Sequence, residues 1–327
     1  MDFLSQWVEV AKCTVKPATY ASYYSLLKNP ILPYFQKAQI ALVELKPLDI
    51  QTFYSKQLER VSSNTVIHYH AVINRALKYA VKIDLIPANP VAKVERPRKN
   101  QYQASFYDSN EINLLFEAVA GEEMELPVKL AAFYGLRRSE VIGLRWSDID
   151  FKANTICIRH TVANCIINGK RVDVASDTTK TKSSMRTLPL VPVFRDLFME
   201  KRDEQDENKR LCGRSYCKEF LDYVCVNKLG VRTNCHYLST AFPKFLEQNG
   251  LRKVRFHDLR HSCASLMLSN GVTMKEIQEW LGHSDFSTTA NIYAHLEYQS
   301  KLSAADAMLN GLGIQVSRTE AVKTKAI

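Results

Sequence analysis

Phe256-His257-Asp258-Leu259-Arg260-His261 places a histidine, an arginine and a second histidine at positions i, i+3 and i+4 of a helix that starts near residue 257. At about 100° per residue, those positions share one face. A helix beginning there also turns its N-terminal amides toward an anion. Leu281-Gly282-His283 follows, and ten residues past that histidine stands Tyr293, in Asn291-Ile292-Tyr293-Ala294-His295. Gly282 lets one helix end, and His283 stands where the next begins. His295, two residues beyond Tyr293, falls off the phenol's face and reads as a packing or surface residue.

Upstream, Gly135-Leu136-Arg137-Arg138-Ser139-Glu140 supplies another arginine on a turn before a helix. Arg137 and Arg260 suit a clamp on both non-bridging oxygens of a phosphate, because a guanidinium is a flat fork that keeps its charge. Tyr293 is the candidate nucleophile. A phenol with a pKa near ~10 needs cations beside it at neutral pH, and Arg137, Arg260 and the imidazoles supply them. One tyrosine among fifteen is ordinarily a core or surface residue; the spacing from Leu-Gly-His to Tyr-Ala-His singles out Tyr293. The departing oxygen needs a proton donor. The turn Asp177-Thr178-Thr179-Lys180-Thr181-Lys182-Ser183-Ser184-Met185-Arg186 offers Lys180 and Lys182, and the spacing does not choose between them. Either lysine also reads as a contact to a phosphate backbone or as a solvated turn residue. The acidic residues form no cluster around these basic boxes, which points away from a metal-dependent nuclease.

Outward from these boxes the chain reads as mainly α with a small antiparallel β-sheet. Residues 1–90 form a helical domain. Phe3, Leu4, Trp7, Val8 and Ala11 recur at helical spacing, a second helix covers about Thr19–Leu27, and Pro30 and Pro33 break the pattern. Ile50, Phe53, Tyr54 and Leu58 line a third helix. Ser62 or Ser63 caps a long fourth, striped by Val66, Tyr69, Ile73, Leu77 and Val81. The prolines of Ile86–Pro90 and Arg96–Asn100 forbid helix and central strand. Residues 91–104 therefore read as an extended basic linker, with Lys93, Arg96, Arg98 and Lys99 facing phosphates.

Residues 105–312 form the second domain. Asp108 and Glu111 make an acidic capping box, and helices follow at about 126–134 and 140–144. Alternation at Ile156 and Ile158, Val172 and Val174, and Leu188 and Leu190 marks strands, with a hairpin turn at Asn168-Gly169. Helices resume at about 192–205, 236–248, 258–269, 273–281 and 287–296. The sparse apolar content of 315–327 makes residues 313–327 a mobile tail.

The charge fits a polyanionic partner. The chain carries +10 overall, with 14 Lys+Arg against 7 Asp+Glu in residues 1–100, so +7 lies in that first stretch and +3 in the rest. Eight cysteines include four at 212, 217, 225 and 235, spaced C-x4-C, C-x7-C and C-x9-C. Zinc sites usually carry a C-x2-C pair, so free thiols in a reducing cytoplasm are the better reading. No apolar run is long enough for a membrane span, and the N-terminus lacks the pattern of a secretory signal.

Together the Gly-Leu-Arg, His-x-x-Arg, Leu-Gly-His and Tyr boxes resemble the tyrosine recombinase (phage integrase) family. The Lys180–Pro189 and His257–His261 forms are most like integrases of conjugative transposons. The resemblance implies a helical core-binding (SAM-like) domain followed by a mixed α/β catalytic domain. It implies that Tyr293 attacks a scissile phosphate to form a 3′-phosphotyrosyl link, with Arg137 and Arg260 stabilising the transition state. His257 would then be general acid/base, a hairpin lysine (Lys180 or Lys182) general acid, and His283 a hydrogen-bond donor. Glu140 would orient an arginine. No cofactor is implied.

The implied partners are double-stranded DNA at mobile-element ends and target site, three further copies in a homotetramer, and accessory DNA-bending or excision proteins. The segment Leu302–Leu312 resembles the tail that family members pack onto a neighbouring protomer. The setting would be the bacterial cytoplasm, at the nucleoid. An arm-binding domain, usual in this subgroup, would precede the first helix, so this sequence is expected to be either a shortened form or a simpler two-domain recombinase. The duplex is expected to lie between the two domains. Two other readings are a catalytically inert DNA-binding relative and relaxation of supercoils in the manner of a type IB topoisomerase.

Overall fold

The computed structural model describes residues 2–100, 105–167, 169–177 and 185–282, with 308, 311 and 312. Helices α1 (Asp2–Lys12), α2 (Pro17–Leu26), α3 (Leu32–Lys37), α4 (Pro47–Leu58) and α5 (Ser63–Lys82) enclose a first core. Leu4, Trp7, Val8 and Ala11 of α1 are buried along one stripe, as their spacing requires. Ser62 caps α5, its hydroxyl accepting from the Thr65 amide. Val66, Tyr69, Ile73 and Leu77 of α5 are buried, with Val81 packed at their edge.

Two expectations fail in this unit. Pro30 and Pro33 do not break the helix after α2. Residues Leu27–Ile31 form a π turn with Pro30 inside it, and Pro33 sits in the first turn of α3. The wider π turn accommodates a residue without a donor, and a helix's first turn has no use for one. Leu58 is exposed, whereas Ile50, Phe53 and Tyr54 are buried.

The stretch read as an extended linker runs back along the helical unit. Asn89 accepts from the Val91 amide and caps a 3₁₀ turn at Pro90–Lys93, and Val91 enters the first core. Proline at a helix start loses no hydrogen bond, which is why the turn forms. Beyond it the Glu95 amide donates to Gln51 Oε1 (3.0 Å) and the Asn100 amide to Asn64 Oδ1 (3.1 Å).

The second core runs from Tyr107 to Leu259. It gathers α6 (Ser109–Ala118), α7 (Glu125–Phe133), α8 (Arg138–Gly143), α9 (Pro192–Cys212) and α10 (Cys235–Gln248); α11 (Asp258–Ser269) and α12 (Met274–Leu281) follow. Asp108 and Glu111 exchange the expected capping bonds, each 2.9 Å. The strands are β1 (Ile149–Asp150), β2 (Thr155–Ile158), β3 (Thr161–Ile167), β4 (Lys170–Ser176) and β5 (Arg186–Pro189).

The strands make two antiparallel sheets rather than one: β1-β2-β5, and a separate β3-β4 hairpin inserted between β2 and β5. Val172 of the hairpin is exposed, so its alternation does not mark a core face. Helix α2 lies against β3, so the helical unit meets this hairpin. Helix α9 outruns its expected end at 205 because its charged second half stands in solvent on its own ion pairs, such as Arg210–Glu207.

Gly135 positions the site. It has φ +63, and a Cβ there would collide with Leu281, so the end of α12 seats directly on the turn that leads to Arg137. All eight cysteines are free thiols. Among the described residues no helix is long and apolar enough to cross a membrane.

Candidate active site

Glu140 is the hub. Its carboxylate is buried in the first turn of α8 and accepts from the Arg137 amide (3.0 Å), Arg137 Nη1 (2.7 Å) and Arg186 Nη2 (3.0 Å). Burial alone would raise its pKa; Arg186, then Arg137 and Arg260, outweigh that and hold it at about 2. The carboxylate is therefore ionised and fixes the arginines around it.

Arg260, itself buried, donates from Nη1 to the Gly135 carbonyl (2.5 Å) and from Nη2 to the Leu281 carbonyl (2.7 Å). Arg137 Nη2 donates to the Gly282 carbonyl (3.0 Å). The two guanidiniums thus grip the last residues of α12, where Gly282 adopts the left-handed conformation expected of it. Burial, then the neighbouring Arg137, lowers the Arg260 pKa to about 9, which leaves it charged at neutral pH. Arg137 remains about one-third exposed. Its bonds to Glu140 and Gly282 take one N–H from each terminal nitrogen, and a guanidinium has five.

His257 stands at the N-cap of α11 and reaches the surface of a cleft lined also by Arg137, Arg138, Asn164 and Arg255. Its ring packs edge-on against His261 at 5.5 Å between centroids. Desolvation of the ring against its neighbours, then His261 and Arg260, lowers its pKa to about 4. An anion entering the cleft would raise its proton affinity.

The expectation that the amides of α11 face an anion is not met. The Asp258, Leu259 and Arg260 amides donate to the carbonyls of Arg255, Phe256 and His257, and the Asp258 carboxylate binds Arg255. Side chains, not main-chain amides, define this end of the cleft.

The fold thus brings Arg137, Glu140 and Arg260 together, with His257 on the adjoining cleft. Lys93, Arg96, Arg98 and Lys99 are exposed along the helical unit, apart from that group. Lys180, Lys182, His283 and Tyr293 lie outside the described residues. In the sequence Arg186 stands at the end of the basic turn with no role of its own. The signal was the two-residue period of β5, which puts Arg186 on the same face as buried Leu188. A buried arginine on a strand requires an anion, and Glu140 supplies it.

The model of the phage integrase family matches residues 105–300, and that of the phage integrase N-terminal SAM-like domain matches residues 1–58. A tyrosine recombinase XerC-like protein of Caldanaerobacter subterraneus subsp. tengcongensis is 28% identical over 323 residues, covering 94% of this chain and 82% of that protein. Among solved structures, the Tn1549 transposon integrase in complex with transposon right end DNA superposes with a TM-score of 0.72. It is 17% identical and covers 95% of this chain and 98% of its own. A lambda integrase tetramer bound to a Holliday junction gives a TM-score of 0.60 at 17% identity, over 87% of this chain and 77% of that one.

Proposed function

The chain belongs to the phage integrase family of tyrosine recombinases, enzymes of site-specific DNA recombination, and from that premise we propose that Tyr293 is its nucleophile and that Arg137, Arg260 and His257 surround the scissile phosphate. The Tyr293 oxygen attacks phosphorus. The bond to the 5′-oxygen breaks, a 3′-phosphotyrosyl link forms, and a 5′-hydroxyl leaves. Charge that develops on the non-bridging oxygens meets guanidiniums already fixed by Glu140 and by carbonyls, so little reorganisation is needed at the moment of reaction.

His257, neutral before DNA arrives, takes up or returns a proton. Lys180 or Lys182 protonates the leaving oxygen, and His283 donates a hydrogen bond to the phosphate. The link conserves the energy of the broken bond, so neither cofactor nor metal takes part. Four copies on two duplexes exchange strands in pairs through a Holliday junction, at the ends of a mobile element. Residues 1–90 bind the core DNA site, the basic stretch with Lys93, Arg96, Arg98 and Lys99 follows the backbone, and residues 105–312 carry the chemistry.

One observation carries this reading. Arg137 and Arg260 are brought together on Glu140 and on the end of α12, with Arg260 bonded to a carbonyl 125 residues away in sequence. The test is a trapping assay with DNA from the element's ends, nicked near the cleavage position, in EDTA. A covalent protein–DNA band that is lost in Tyr293→Phe is expected. Its absence on every end sequence, with tight DNA binding retained, would leave an inert DNA-binding relative instead.

A further inference from the structure

A second buried polar cluster lies outside the arginine group, at the base of the β3-β4 hairpin. His160 is buried there. Its Nδ1 is 2.6 Å from Asp177 Oδ1, and its Nε2 is 3.0 Å from the Tyr223 hydroxyl and 3.1 Å from Arg145 Nη2. A guanidinium only donates, so Nε2 must be the acceptor and the ring proton sits on Nδ1, donating to Asp177. Arg145 Nη1 donates to the same Asp177 oxygen at 3.0 Å, and its guanidinium lies over the Tyr223 ring at 5.5 Å. Asp177 itself is 74% exposed. An exposed carboxylate would ordinarily remain in water; this one is drawn onto two donors rooted in the protein.

The place of Asp177 in the chain gives the cluster its meaning. Thr161 pairs with Ser176 at the base of the hairpin, so His160 and Asp177 are the next residues outward. After Asp177 the chain carries Lys180 and Lys182, then returns at Arg186, which pairs with Ile158 of β2 and binds Glu140. The lysine-bearing stretch therefore leaves from one anchored residue and arrives at another. The second anchor is the carboxylate that holds Arg137.

We propose that Asp177 and His160 are positioning residues, which fix the point from which the lysine-bearing stretch departs so that its lysine meets the leaving 5′-oxygen. The inference rests on the lysine role proposed above. As the Tyr293 oxygen–phosphorus bond forms, the phosphorus–O5′ bond breaks and its electron pair stays on O5′. That oxygen takes a proton from the lysine ammonium, which becomes a neutral amine. Removing the anchor leaves the arginine group untouched and misplaces only this proton, and a misplacement of about 1 Å costs roughly a hundredfold in rate.

The experiment is single-turnover cleavage by the full chain on two nicked duplexes, one with the ordinary 5′-oxygen and one with sulfur in the bridging position. A thiolate, whose conjugate acid has a pKa near ~8.5, leaves without a proton. Asp177→Ala, at an exposed side chain, should slow the oxygen substrate about tenfold to a hundredfold and leave the sulfur substrate near the wild-type rate. Asp177→Asn keeps an oxygen acceptor for both donors and should recover most of the oxygen rate. Equal slowing of Asp177→Ala on both substrates, or no slowing on either, overturns the inference.

The double variant Lys180→Ala/Lys182→Ala, run alongside, separates the two failures. If sulfur rescues it while Asp177→Ala shows no oxygen-specific loss, the anchor is wrong and the lysine role stands. If sulfur does not rescue it, the lysine role falls and the inference falls with it.

Discussion

Replacing Glu140 with glutamine removes one negative charge from among three guanidiniums and leaves the shape of the side chain nearly unchanged. The carboxylate's pKa falls from an ordinary 4.5 to about 2 on folding. At about 1.4 kcal/mol per unit that difference corresponds to about 3 kcal/mol in favour of the charged form, in the range of ~3–5 kcal/mol for breaking a buried ion pair. In a unit of about 200 residues this lowers the unfolding midpoint by roughly 6–12 °C.

The sign with pH is fixed. A carboxylate whose pKa drops on folding stabilises the fold fully above its unfolded value of 4.5, and the stabilisation is lost as pH falls toward 2. Thermal unfolding of wild type and Glu140→Gln at pH 7 and at pH 4 reads both size and sign. The gap should be full at pH 7 and smaller at pH 4. Sulfate should narrow it at pH 7, because an anion between Arg137, Arg186 and Arg260 stands in for the lost charge. A variant within ~0.5 kcal/mol of wild type, the size of an ordinary surface change, or a gap that widens as pH falls, would refute the hub role of Glu140.

Other expectations follow from the same geometry. The lowered pKa values of His257 (about 4), His261 and His160 mean that the unfolded chain takes up protons before the folded one. Stability should decline as pH falls from about 6.5 to 4, and His257→Gln should flatten part of that decline in denaturant titrations. Gly135→Ala forces a Cβ into Leu281 at a positive φ. It should destabilise the fold by about 1–3 kcal/mol and slow DNA cleavage, since the Gly135 carbonyl holds Arg260. Unchanged melting and unchanged cleavage would show that this close approach does not matter.

Local rules made some of this molecule legible in sequence. The Asp108–Glu111 box, the Ser62 cap, the left-handed Gly282 and the buried stripes of α1 and α5 all depend on residues within a turn or two of each other. The arginine boxes were legible as a group because each is short and continuous. Part of what escaped depends on a distant partner, and part on local geometry that competes with the common rule. Arg186 needed Glu140, 46 positions upstream, to be more than one more cation in a basic turn. A helix start such as that of α11 favours an anion, but the preceding carbonyls satisfy its amides first. Pro30 breaks an α-helix by the ordinary rule, but the chain adopts a π turn there. Val172 alternates like a core residue, yet lies on β4, the exposed strand of a hairpin whose other strand supplies buried Val162.

The central claim is the identity of the covalent link, and mass analysis of the trapped, protease-digested adduct tests it most directly. The account predicts a single modified peptide in which Tyr293 carries a nucleotide through its 3′-phosphate, formed in EDTA. A nucleotide attached to any other residue, or joined through a 5′-phosphate, would contradict it.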